Sequence, residues 1–268
     1  MRRFNGYNIS SLLLGYGFLY LPIALLIIFS FNESSTMVWT GFSTHWYSEL
    51  MENEGLLSAV QTSLQIASIT ATCSVIIATF AALAMVRIRR FPGRMLFSGL
   101  MTAPLVMPEV MMGLSLLMMF VTFERLCGWP SERGIMTVTL AHITLSITYV
   151  YLIVFARLKD FDCSLEEAAL DLGARPEKVF FVITLPLIAP SLVSGWLLSF
   201  ALSLDDVVIA SFLSGPGATT LPMLIFSNIR IGLSPEMNAL AAIIVGIVAL
   251  VVLILGIVMR PKKHKMKN

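Results

Sequence analysis

Six apolar stretches, each long enough to cross a hydrocarbon layer about 30 Å thick, constrain this chain more than any other feature. They run approximately from Ser10 to Phe31, Leu57 to Val86, Met95 to Thr122, Ile135 to Ala156, Leu187 to Leu213 and Met237 to Met259. A backbone in lipid must satisfy its own polar groups, and stretches of this length do so as helices. The expected fold is an all-α integral membrane protein with six transmembrane helices. Composition agrees: 57% of residues are hydrophobic and 13% charged, with a mean hydropathy of +0.86. A soluble domain carries roughly a quarter charged residues.

Lys and Arg set the orientation. Arg2, Arg3, Arg87, Arg89, Arg90, Arg94, Arg157, Lys159, Arg175, Lys178, Arg260, Lys262, Lys263, Lys265 and Lys267 fall on one side of a six-span arrangement; Arg125, Arg133 and Arg230 fall on the other. The positive-inside rule then makes both termini cytosolic. The net charge of +2 is a topology signal and gives no reason to expect nucleic-acid binding. The first span follows Arg2 and Arg3 like a leader, but its apolar run is long and no Ala-x-Ala site follows before the acidic loop, so it reads as an uncleaved anchor. Cys73, Cys127 and Cys163 fall in a span, an outer loop and an inner loop, which leaves no obvious disulfide.

The outer segment from Asn32 to Gly55 holds four glutamates, no Lys or Arg, and Trp39, Phe42, Trp46 and Tyr47 around His45. An aromatic helix at headgroup level accounts for it, and a contact with an external partner is the second reading. Farther on, Ser214-Gly215-Pro216-Gly217 reads as a turn, and Thr220 with Pro222 as the start of a short helix through Arg230.

The inner loop between the fourth and fifth spans carries the most specific pattern. Ser164 and Glu167 have capping-box spacing, and Gly173 suits the left-handed end of a short helix. Leu165, Ala168, Ala169 and Leu172 share one face, with Glu166, Glu167 and Asp171 mostly elsewhere. Helices resting on anionic lipid are usually basic, whereas this one is acidic, so a soluble partner with an apolar groove suits it better. Glu167-Ala168-Ala169, Gly173, Ile183, Leu185 and Pro186 resemble the EAA loop of the membrane subunits of ATP-binding-cassette importers. That resemblance implies a coupling helix, formed by Leu165, Glu166, Glu167, Ala168, Ala169, Leu172 and Gly173, that docks into an ATPase subunit.

Three carboxylates fall inside apolar stretches: Glu109, Asp205 and Asp206. An Asp near the bilayer centre costs about 3 kcal/mol even on the lenient insertion scale. Glu109 lies mid-window after Pro104 and Pro108, each of which frees a carbonyl one turn earlier and kinks the span. On a continuous helix Asp205 and Asp206 point about 100° apart. Asp206 continues a stripe of Gly195, Ser199, Ser203 and Ala210, which suits either a polar path or a close helix contact. Asp205 shares its face with apolar residues and suits a protonated carboxyl or a bond to a neighbouring subunit. No basic residue lies deep in any span to pair with these groups. Unpaired negative charge suits an organic cation, and Trp196 with Phe200 could add cation–π attraction. The expected substrate path is Asp206, Glu109, Asp205, Ser203, Ser199 and Trp196.

The runs Pro104 to Val110, Ser203 to Phe212, Gly215 to Pro222 and Ser234 to Leu240 resemble the polyamine branch of the same importers. The similarity implies a type I importer permease fold in the bacterial inner membrane, carrying putrescine first and spermidine next. It also implies a second, different permease subunit, two copies of a cytosolic ATPase and a periplasmic binding protein. No Gly-x4-Gly-Lys-Ser/Thr loop occurs, so this chain binds no cofactor of its own and ATP with Mg belongs to the partner ATPase. The expected organisation is an anchor and outer loop over 1–56, a permease core over 57–260 with its inner loop at 157–186, and a basic tail over 261–268. The rivals are an importer of another small organic cation and a proton-coupled secondary amine transporter. An intramembrane enzyme is disfavoured by the absence of a His-Glu-x-x-His or Gly-x-Ser-x-Gly motif.

Overall fold

A computed structural model describes residues 6–34, 38–88, 90–231 and 235–258. Arg2, Arg3, Arg89 and the basic tail 261–268 lie outside the described residues, as does Arg260. Among those described, five helical segments are long and apolar enough to cross a membrane: Ser10–Phe29, Glu54–Arg87, Glu109–Cys127, Ile135–Lys159 and Pro176–Asp205. The sixth window forms the helix Pro235–Val258, of which Pro235–Leu250 is a shorter apolar stretch. The helices are α1 (Gly6–Phe29), α2 (His45–Glu52), α3 (Glu54–Arg87), α4 (Arg94–Thr102), α5 (Glu109–Cys127) and α6 (Ile135–Lys159). They continue as α7 (Ser164–Asp171), α8 (Pro176–Val179), α9 (Leu185–Asp205), α10 (Val208–Leu213), α11 (Leu221–Ile231) and α12 (Pro235–Val258).

Two windows that read as continuous spans are broken. The third divides into α4 and α5, joined by a 3-10 turn at Ala103–Leu105 and an extended Pro108. Pro104 and Pro108 lie close enough that their missing N–H donors stop the helix outright instead of kinking it. Glu109 is therefore the first residue of α5 and not the middle of a span. The fifth window ends α9 at Asp205, takes Asp206 through an extended conformation (φ −71°, ψ 121°) and resumes as α10. Asp205 and Asp206 thus do not share one helix. In the other direction the segment starts early, at Pro176, and passes through a π-helical turn at Phe180–Thr184. There the Leu185 N–H reaches back five residues to the Phe180 carbonyl just before Pro186, whose ring nitrogen has no hydrogen to donate.

The chain divides into two compact units, one formed by Ser58–Leu224 and the other by the described parts of Met1–Leu57 and Ile225–Asn268. In the larger unit α6 lies along α9, and α10 packs on α5 and α6. One core cluster joins Ile66 of α3, Met112 and Phe120 of α5, Val138, Ala141 and Leu145 of α6, and Ile209 and Leu213 of α10. A second joins Ala78, Ala82 and Met85 of α3 to Val150, Tyr151 and Val154 of α6 and Ile188 of α9. Small residues permit this approach: a Cβ on Gly195 would meet Val150 at 3.0 Å, and one on Gly113 would meet Phe212 at 2.7 Å. The Arg94 guanidinium donates to the Ile88 carbonyl and, at 2.8 Å, to that of Met85, closing the end of α3. The turn at Gly215–Ala218 closes with a 3.1 Å backbone bond, with Gly217 at φ +73°, the left-handed position after proline in a type II turn.

In the smaller unit α1 and α2 pack on α12, and Asn53 Nδ2 donates to Glu236 Oε1 at 2.7 Å. The outer segment closes on Asn32, which is 1% exposed. Its Nδ2 donates to the Val38 carbonyl at 2.9 Å, its Oδ1 accepts from the Thr40 N–H at 3.0 Å, and the Trp46 indole donates to its carbonyl at 2.7 Å.

Candidate functional site

The inner loop folds as a helix, a sharp turn and a second helix, but its first cap differs from the expected box. Ser164 is already helical, and its N–H bonds to Asp162 Oδ1 at 3.0 Å. An aspartate two residues upstream does the capping, and the Ser164 N–H holds the Asp162 carboxyl below the usual aspartate range. The far end is a paired closure around Gly173 at φ +83°. The Gly173 N–H bonds to the Leu170 carbonyl at 2.9 Å and the Ala174 N–H to that of Ala169 at 3.0 Å, which is a Schellman motif.

Of the apolar face of α7, Leu165 (49%) and Leu172 (89%) are exposed, Ala168 is exposed and Ala169 half-buried. Glu167 also faces outward. Glu166 is different: it is 7% exposed, and one of its oxygens accepts from both Arg87 Nη2 and Thr184 Oγ1. It ties α7 to the end of α3 and to the π turn before α9, so it belongs to the underside of the loop and not to its outer face. A cleft of about 280 Å³ lies beside this tether, walled by Leu83, Leu170, Val179 and Phe180.

The residues expected along a substrate path separate into two sets. Glu109 and Asp205 are exposed on the chain, at the start of α5 and the end of α9. Ser199 (0% exposed) and Ser203 (6%) turn inward on α9, as does Gly195 against Val150 of α6. The Asp206 side chain is 5% exposed; its Oδ1 accepts from the amides of Ile209 at 2.8 Å and Ala210 at 3.2 Å. The carboxylate that interrupts the long helix therefore caps the next one. Trp196 is half-buried, stacked on Phe200 with centroids 5.1 Å apart, and donates to Thr72 Oγ1 at 3.2 Å.

Sequence reasoning missed His142 of α6. It lies 1% exposed beside these groups, with Nδ1 2.8 Å from Ser203 Oγ and Nε2 4.0 Å from Asp206 Oδ2. The expectation that no basic residue lies deep in a span is corrected by this imidazole, which is buried beside Asp206. The available signal was a single imidazole in a window with no other charged side chain.

Comparison with known proteins adds to this geometry. The model of the family described as binding-protein-dependent transport system inner membrane component matches residues 74–266. The chain is 53% identical over 264 residues to the putrescine transport system permease protein PotI of Escherichia coli strain K12, covering 98% of this chain and 94% of that one. It is 41% identical over 248 residues to the spermidine/putrescine transport system permease protein PotC of the same strain, covering 92% and 91%. Its fold is similar to that of a chain in the crystal structure of a bacterial ABC transporter involved in import of the acidic polysaccharide alginate. There the TM-score is 0.68 and the identity 15%, over 96% of this chain and 97% of the other.

Proposed function

Because this chain belongs to the family of binding-protein-dependent transport system inner membrane components, we propose that it is the membrane-spanning subunit of an ATP-driven polyamine importer, with putrescine as its first cargo and spermidine next. It is a multi-pass membrane protein and a transport component. In this reading it has six spans with cytosolic termini in the bacterial inner membrane, pairs with a second permease, receives cargo from a periplasmic binding protein, and leaves ATP and Mg to two copies of a partner ATPase.

The observation that carries the reading is the loop helix α7. Leu165, Ala168 and Leu172 are held open while Glu166 anchors its underside to Arg87 and Thr184. An apolar helix face on a rigid base is suited to transmit force from a groove that grips it. Nucleotide-driven closure of the ATPase pair would move this helix, and the tether would pass the displacement to α3 and α9. The relatives support the cargo: both are named for putrescine transport. Glu109 and Asp205 are the exposed carboxylates placed to meet an ammonium group. Asp206, with Ser203 and Ser199, is buried, and Trp196 with Phe200 would supply an aromatic face.

The test is ATP-dependent uptake of labelled putrescine and spermidine by the complete complex in proteoliposomes. Saturable uptake of putrescine is expected. An ATPase rate that responds to the binding protein without uptake of either polyamine would keep the importer and overturn the cargo.

A further inference from the structure

His142 has no part in the coupling or cargo contacts described above, yet it occupies the point at which the long fifth helix is interrupted. Its Nδ1 meets the hydroxyl of Ser203 in the last turn of α9, and its Nε2 faces Asp206 Oδ2 at 4.0 Å. Nε2 has no hydrogen-bond partner among the described residues. Asp206 uses its other oxygen to hold the first free amides of α10. One ring on α6 therefore touches the end of one helix and faces the residue that starts the next. A separation of 4.0 Å is too long for a hydrogen bond, and closing it needs only about 1 Å of movement.

The break itself gives this position its importance. It contains neither proline nor glycine between Leu204 and Ile209, so nothing in the backbone compels the chain to leave the helix at Asp206. The local hold is the side-chain cap on Ile209 and Ala210. A cap made by a carboxylate is only as well placed as the carboxylate. The Ser203 side chain bonds to His142 and that of Asp206 faces it at 4.0 Å, and the helix α6 that carries His142 is unbroken from Ile135 to Lys159.

We infer that His142 is a positioning residue for Asp206: through Ser203 and the Asp206 carboxylate it holds the interruption between α9 and α10 in one geometry. The oxygen it faces is then the one that an amine cargo takes over when the interruption opens. This second step rests on the polyamine reading; the positioning role does not.

Two readouts on the assembled importer, hydrogen exchange in nanodiscs and uptake in proteoliposomes, separate them. Hydrogen exchange across residues 207–211 needs no cargo. His142→Phe keeps a ring of similar size but removes both nitrogens, and it is expected to speed exchange of the Ile209 and Ala210 amides about tenfold. His142→Gln, whose amide reaches the place of Nε2, should stay within about twofold, and His142→Asn, which reaches only the place of Nδ1, should fall between. For uptake, His142→Phe should raise the putrescine KM with little change in maximal rate, and His142→Gln should restore it. On an Asp206→Asn background the phenylalanine should add nothing, because a residue acting through Asp206 has no separate effect once that group is changed.

Unchanged exchange in an assembled His142→Phe complex, or equal behaviour of Phe, Asn and Gln, would overturn the positioning role. Additive effects with Asp206→Asn would do the same. Should the phenylalanine variant fail to assemble, Ser203→Ala removes the Nδ1 contact alone, and faster exchange at the same two amides is required of it. A wild-type complex that takes up no putrescine defeats the cargo reading, and exchange then decides the positioning role unaided.

Discussion

Two buried carboxylates, Glu166 and Asp206, are held by opposite means. Glu166 lies on the acidic helix α7 and meets the Arg87 guanidinium, with Thr184 on the same oxygen. Asp206 has no Lys or Arg partner among the described residues; backbone amides hold one of its oxygens and an imidazole stands 4.0 Å from the other. The first arrangement fixes three segments together by charge. The second leaves an oxygen able to change partner without breaking an ion pair. In the proposed importer the first would transmit movement and the second would permit it.

The largest expected effect comes from removing the fixed pair. Glu166→Leu leaves Arg87 uncompensated, at a cost of about 1–3 kcal/mol given that the guanidinium keeps some contact with water. Stimulation of the ATPase by the binding protein should fall by about tenfold or more at equal assembly. Full stimulation would mean that the tether carries no movement. Next is the carboxylate pair at the interruption. Asp206→Asn keeps an acceptor for the two amides while losing the charge, so uptake should drop about fivefold with the helix cap intact, and Asp205→Asn should change it less than twofold. Equal uptake by both variants would erase the distinction drawn between them. Gly173→Ala forces a Cβ into the left-handed region at about 1 kcal/mol, which should shorten α7 and reduce coupling a few-fold; proteolytic sensitivity of the loop would report it.

The smallest effect is expected at Asp162. Its folded carboxyl lies below the ordinary aspartate value because the Ser164 amide donates to it. A lowered folded pKa stabilises at pH values above the unfolded one, and that contribution disappears as pH falls through the folded value. At neutral pH the cap is therefore fully present. Asp162→Ala should loosen the first turn of α7 and alter uptake less than about twofold. A larger loss would make that cap part of the transmission and weaken the contrast with Glu166.

Hydropathy made the apolar windows legible because lipid imposes one requirement over some twenty residues. It was blind to their interruptions, since a broken helix and a whole one can have the same composition. The break after Thr102 had a visible cause in Pro104 and Pro108, though two prolines together did more than kink. The break at Asp206 had none, because a side chain ends that helix and caps the next. Helical periodicity correctly set Glu166 apart from the apolar face of α7. What it meets there lies 79 residues away in the chain, at Arg87, and no local pattern contains that distance. Ser164 looked like a cap by spacing, yet Asp162 took the role, since either residue can bond an early amide. His142 is a basic side chain inside an apolar window, yet a single imidazole there makes no local pattern that ties it to a carboxylate 64 residues away.

The closed outer segment has a further consequence. Asn32 ties together Val38, Thr40 and Trp46, so a molecule that met these residues would find their arrangement set in advance. Little chain entropy among them would be lost at such a contact.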